Sequence, residues 1–324
     1  MCAKLSGYIS LIPSVIGGFV VGELLSLGIG YYVPAGVQAL EYRIENGEAV
    51  IEKYNGLCPF VRFPDEIEGY PVTSIESDVL ENSKYYVLGA VVPGSVTQIS
   101  EAFYNSPALT AVIFEEGVRR IDYYTFYNCE NLSYVKLPES LEFIGEGAFE
   151  YCTELSEADI PDNVYYISDY AFRECEALSN VDIPLNIEYI GLNAFSSTAF
   201  DDALRDEYYG EDIIFHDRLL YSYGGDDENY IIPYGIETIC GGAFENAECR
   251  EIFFPDTVGM IGMGAFMDCY NLNNVVLPES VYYVGDYAFE SCESLEKIVV
   301  PVHAEISDTA FEECGRLTEV IYEE

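Results

Sequence analysis

The stretch Tyr170 to Leu178, YAFRECEAL, carries the residue types of a reactive site: Cys175 lies between Glu174 and Glu176 and next but one to Arg173. A thiol acts as nucleophile or metal ligand in its thiolate form, which a neighbouring cation favours and neighbouring carboxylates oppose. The partners such chemistry needs are scarce. The chain has 2 histidines, His216 and His303, and neither suggests a Ser/His/Asp or Cys/His arrangement. A zinc site calls for C-x-x-C pairs or histidines, and no C-x-x-C occurs. With 57 Asp and Glu, no carboxylate pair stands out as an acid/base couple. Asp201-Asp202 and Asp226-Asp227-Glu228 lack the spacing of calcium loops and read as solvated acidic turns. No glycine motif for phosphate or a dinucleotide follows a strand. The expectation is therefore no enzyme, no resident metal and no cofactor.

Cys175 also belongs to a series. Cys129, Cys152 and Cys175 are 23 residues apart, and Cys269, Cys292 and Cys314 repeat the arrangement at 23 and 22. Each lies three residues after a phenylalanine: Phe126, Phe149, Phe172, Phe266, Phe289 and Phe311. Ser106, Thr198 and Ala247 fill the same place in other copies, which marks it as an inward position for a compact side chain. Stacked strands are about 4.8 Å apart, near the lower limit for a disulfide, but an uninterrupted trio of parallel side chains cannot all pair.

The elements that position these residues come from one period. Prolines 138, 161 and 184 step by 23; prolines 233, 255, 278 and 301 step by 22, 23 and 23; Pro93 and Glu115 extend the register upstream. Each unit reads P-x-x-V-x-x-I-x-x-x-A-F-x-x-C-x-x-L-x-x-V-x-I. The apolar positions suggest two short extended segments, one ending V-x-x-I and one spanning L-x-x-V-x-I, with a tight helical turn at A-F between them. No unit can bury its apolar face alone, so stacking must build a continuous core flanked by parallel strand ladders.

The unit resembles the leucine-rich repeats of the BspA-like family of secreted and surface proteins of bacteria and some protozoa. The resemblance covers residues 69 to 324 and implies a leucine-rich-repeat solenoid: stacked 22- to 23-residue repeats, β-rich, with short helical turns. It implies adhesion or recognition and no conserved chemistry. Residues 40 to 68 are similar to the β-rich cap that precedes such arrays. The period breaks at about 196 to 232, where a loop and a hairpin are expected, the hairpin turning at Gly224-Gly225.

Residues 1 to 39 differ in composition: Leu5 to Val33 contains one charge, Glu23, and reads as a signal peptide or a membrane anchor. The rest of the chain is strongly acidic, with a formal net charge of −43, which repels phosphate backbones and anionic lipid. A secreted or cell-surface monomer is expected, touching the membrane only through its N-terminal segment and taking an extracellular protein or glycan as partner.

The 29 tyrosines point to where that partner would bind. The residue before the final apolar position of V-x-x-I is Phe143, Tyr166 and Tyr189, then Met260 and Tyr283, with Tyr165 and Tyr282 beside them; Thr238 interrupts the column. If the column faces solvent it forms an aromatic ribbon suited to sugar rings or to protein side chains. The competing reading is that these aromatics only stabilise the ladder through neighbour contacts. The expected function is a non-catalytic binding scaffold, with a structural spacer or a carbohydrate-binding accessory module as alternatives.

Overall fold

The computed structural model describes residues 33–323. The hydrophobic segment lies largely outside these residues. Among the described residues no helix is long and apolar enough to cross a membrane. The fold begins before residue 40, because Val33–Pro34 pairs in parallel with Phe60–Arg62.

Two compact units emerge. One is built on the chain up to Val164 with Phe172–Pro184 and Phe195–Phe200; the other on Tyr165–Ala171, Leu185–Ala194 and the chain from Asp201. In the first unit, the V-x-x-I segments form a first ladder: Gln98–Ile99, Arg120–Ile121 and Phe143–Ile144, parallel and in register. The L-x-x-V-x-I segments form a second ladder from Phe60–Arg62 through Gly89–Val92 and Ala111–Phe114 to Tyr134–Lys136. Glu157–Ala158 and Asn180–Val181 pair separately. A four-stranded sheet leads in: Leu40–Glu45 and Glu48–Tyr54 are antiparallel, and Tyr70–Ile75 joins the latter in parallel and Glu66–Ile67 in antiparallel.

In the second unit the first ladder runs from Leu219–Ser222 through Thr238–Ile239, Met260–Ile261 and Tyr283–Val284 to Glu305–Ile306, and Tyr166–Ile167 pairs with Tyr189–Ile190. Its second ladder runs Asn229–Ile231, Glu251–Phe253, Asn274–Val276, Lys297–Pro301 and Glu319–Glu323. Strands this short hold because each backbone group finds its partner one coil away and the apolar V, I and L side chains point into a shared core.

The link at A-F is a hydrogen-bonded turn; the one α-helix among the described residues, Ala199–Glu207, lies inside the insertion. Two left-handed residues, or at Phe311 only the later one, bracket each motif phenylalanine. The one two places after it has φ of 49 to 62° in nine copies, including Asn105, Tyr151, Glu174 and Glu313. Asn, Asp and Ser suit that conformation through local hydrogen bonds, while Tyr and Glu adopt it at a cost the stacked coils offset. The phenylalanines then stack as a column. In the first unit ring centroids are 5.3 Å apart for Phe103–Phe126, 5.1 Å for Phe126–Phe149, 5.0 Å for Phe149–Phe172 and 5.3 Å for Phe172–Phe195. In the second the column is Tyr223, Phe244, Phe266, Phe289 and Phe311.

The insertion departs from its expected form. The hairpin is Ile213–Phe215 against Leu219–Ser222, turning at His216 and Asp217, with φ of 53° and 57°. Consecutive left-handed residues give the turn whose twist matches a two-stranded ribbon. The segment after Gly224-Gly225 is not the hairpin's return strand, because Asn229–Ile231 enters the second ladder instead. Leu219–Ser222 and Asn229–Ile231 are thus the two rungs of a shortened coil, in which Tyr223 stacks 5.0 Å from Phe244 in place of a motif phenylalanine.

Candidate functional site

The repeated cysteines are packing positions with a polar task. Cys129, Cys152, Cys175, Cys269 and Cys292 are free and buried; Cys314, in the final repeat, is free and half-buried. Each thiol donates to the carbonyl of the phenylalanine one coil earlier: Cys175 Sγ to Phe149 O at 3.1 Å, Cys269 Sγ to Phe244 O at 3.1 Å, Cys314 Sγ to Phe289 O at 3.0 Å. The carbonyl of Phe149 also accepts from the backbone N–H of Cys152 at 3.0 Å, so both its lone pairs are used. Burial pushes the Cys129 thiol up to about 12 and raises Cys152 and Cys175 as well. None of these is a nucleophile at neutral pH. Cys314 is shifted the other way, lowered first by its contact with the Cys292 thiol. Among the described residues no group of three His, Cys, Asp or Glu side chains is placed to hold a metal ion.

The six ladder aromatics do not form an even ribbon. Phe143 is in the first unit, half-buried, with the Arg120 guanidinium 3.8 Å from its ring centre. The other five are in the second unit. Tyr189 does not face solvent: it is buried, its ring stacks 4.7 Å from that of Tyr166, and its hydroxyl accepts from the Met263 N–H at 3.3 Å. A Cβ on Gly262 would sit 3.0 Å from Cε2 of Tyr189, so the ring passes where that glycine leaves room. The threonine that breaks the column is buried too, its hydroxyl donating to the Glu188 carbonyl at 3.1 Å.

What remains accessible is a set of four. Tyr165 is 39% and Tyr282 54% exposed, and Tyr166 and Tyr283 are half-buried beside them. Tyr282 lies flat over Gly259, whose Cβ, if present, would meet its ring at 2.7 Å. Burial first, and then nearby carboxylates, raise three phenols: Asp169 acts on Tyr166, Glu188 and Glu237 on Tyr282, Asp286 and Glu305 on Tyr283. Tyr165 and Tyr282 keep accessible ring surface beside these negative charges, an arrangement that suits cationic side chains.

A second outward column escaped the sequence reading. It is the middle residue of V-x-I in the second ladder, exposed at Ile231, Phe253 and Val276, buried at Val299 and half-buried at Ile321. The same place holds Lys136, Asp159 and Asp182 in earlier repeats. The position is apolar at Val91 and Ile113, charged in the three coils after them and apolar again from Ile231, a pattern that becomes informative only once the position is known to face outward.

The family comparison agrees with a repeat architecture. The model for the BspA type leucine-rich repeat region matches residues 96–203 and 221–324, in 6 copies. No curated protein matches the chain. Among solved structures, the chain is similar to a leucine-rich cell surface protein from Faecalibacterium prausnitzii A2-165, at 25% identity over 88% of this chain and 93% of that one, with a TM-score of 0.41. It is similar to a leucine-rich repeat protein from Bacteroides ovatus, at 24% identity over 87% and 92% with a TM-score of 0.31, and to a leucine-rich repeat protein of T. pallidum, at 23% over 74% and 91% with a TM-score of 0.42. With about two thirds of its residues matched by the repeat model, this chain belongs to the BspA type leucine-rich repeat family.

Proposed function

We propose that this chain is a non-catalytic recognition scaffold, secreted or held at the cell surface, that binds an extracellular protein through the tyrosine-bearing ladder of its second unit. The observation that carries the reading is the exposure of Tyr165 and Tyr282, 39% and 54%, among carboxylates that include Glu188 and Glu237. Aromatic faces supply contact area at little conformational cost, and the carboxylates select partners bearing Lys or Arg. Membership of a repeat family supports an extended contact surface over a catalytic pocket. The net charge of −43 opposes self-association and nucleic-acid binding, so the scaffold acts as a monomer.

The test is binding to immobilised extracellular-matrix proteins and glycans by the wild type and by a variant carrying Tyr165→Ser, Tyr166→Ser, Tyr282→Ser and Tyr283→Ser. The variant is expected to lose at least tenfold in affinity for the protein ligands while its far-UV spectrum is unchanged. Equal binding by a folded variant overturns the site, and a wild type that binds nothing on the array favours the spacer role.

A second reading, carbohydrate binding, has its own support in the first unit. An open trough of about 430 Å³ is lined by hydroxyl, amide and carboxylate side chains, among them Thr73, Ser77, Gln98, Ser100 and Glu101. Glycan binding that survives the four tyrosine substitutions favours this trough.

A further inference from the structure

We infer that the outward column Ile231–Phe253–Val276 on the second ladder docks a cationic amphipathic helix of a partner protein. The surface is separate from the tyrosine-bearing ladder. Ile231 is 71%, Phe253 51% and Val276 62% exposed, on three consecutive parallel strands in which Ile231 pairs with Phe253 and Glu251 with Asn274. Val299, the next rung, is buried and closes the stripe. Apolar side chains aligned on consecutive strands make a contiguous patch, unlike apolar residues scattered singly over a surface. The repeat does not require them there: Lys136, Asp159 and Asp182 occupy the same position in three earlier coils, while Val91 and Ile113 fill it in two others.

Geometry and charge select the occupant. Strands in a ladder lie about 4.8 Å apart. Residues three or four apart on a helix advance about 4.5 to 6 Å along its axis, so one apolar helical stripe keeps step with the rungs. An extended segment spaces its same-face side chains about 6.6 Å apart and falls out of step by the third rung. Carboxylates border the stripe on both sides. Glu228 and Glu251 stand at the start of the strands and Asp256 and Glu279 just after their ends, all exposed. Arg250, the cation nearest in sequence, is held by Glu228 at 2.8 Å. A helix with Lys or Arg flanking its apolar stripe meets this border with opposite charge. A second copy of this chain, at −43, or an anionic membrane is repelled.

The probe is a fluorescein-labelled 14-residue helical peptide of leucine and lysine, leucines at three- and four-residue spacing, titrated with the whole protein at 0.15 M salt. Its controls are the same peptide with glutamate for lysine, and with serine for leucine. The protein variant is Phe253→Thr with Val276→Thr, which leaves the net charge unchanged and keeps β-branched residues in the strands. Ile113→Thr, at the same column position in the first unit, controls for substitution in a ladder. The Leu/Lys peptide is expected to bind the wild type and Ile113→Thr alike, and the double variant at least tenfold more weakly. Both control peptides are expected to bind the wild type at least tenfold more weakly. Equal affinity for wild type and the folded double variant overturns the inference, because the attraction is then charge alone. Equal binding of the glutamate peptide, or a wild-type dimer that the two substitutions dissolve, also overturns it.

Discussion

The thiol of Cys175 meets the carbonyl of Phe149 across the gap between coils, and that contact settles its chemistry. A small hydrophobe at this place was legible from the run of Cys, Ser, Thr and Ala at a fixed distance from each phenylalanine. The donor role was not, because periodicity distinguishes small from large and says nothing of which carbonyl lies opposite. Glu150, one residue after the motif phenylalanine, is the residue-scale cost of the arrangement. It is buried, with Arg173 3.5 Å away, and burial raises its carboxyl above 4.5. The folded chain therefore holds that proton more tightly than the unfolded one, and stability is lost as pH rises from the unfolded value through the raised one. Glu150→Gln is expected to raise Tm at pH 7, the gain shrinking as pH falls toward 4.5. A thermal melt series across that range measures it, and a gain that grows toward acid contradicts the assignment.

At the scale of the element, the coil is held by the phenylalanine column and shaped by its left-handed brackets. Phe149 is fully buried, 5.1 Å from Phe126 and 5.0 Å from Phe172, whereas Phe311 is half-buried with one stacking neighbour, Phe289. Truncating a buried phenylalanine costs about 3 to 5 kcal/mol through lost transfer energy and the cavity left behind. Phe149→Ala is expected in that range by urea denaturation, Phe311→Ala at roughly half of it or less. Equal losses at the two sites contradict a column closed at its centre and open at its end. Glu101→Gly is a complementary variant, because Glu101 is exposed and sits at φ 51°. Relief of left-handed strain and the entropy of glycine nearly offset, leaving about 0 to 1 kcal/mol of stabilisation. The repeat elements were readable from spacing alone, but the hairpin turn was not. Gly-Gly at 224–225 is the stronger compositional signal, yet His216 and Asp217 take the turn because their neighbours pair and the residues after the glycines are claimed by the second ladder.

At the scale of the whole molecule, the thiols are turned inward, and Tyr165, Tyr282 and Phe253 are exposed. Two ladders and a buried column follow from one 22- to 23-residue period, which is why the architecture was legible before any contact was known. Which outward positions matter was less so. Tyr189 reads identically to Tyr166 in sequence, yet its ring is drawn inward by the room at Gly262 and the N–H of Met263. The apolar middle position of V-x-I looks like core until its strand is placed on the outside of a coil. The cysteine series is a rung of the core, with five of its six thiols buried. Iodoacetamide labelling of the intact protein at pH 7.5, mapped by peptide mass spectrometry with and without denaturant, tests it directly. Of the eight free cysteines among the described residues, only Cys314 is expected to label in the native protein, and all eight once it is unfolded. Native labelling of Cys129, Cys152 or Cys175 at the rate seen in denaturant would contradict the account.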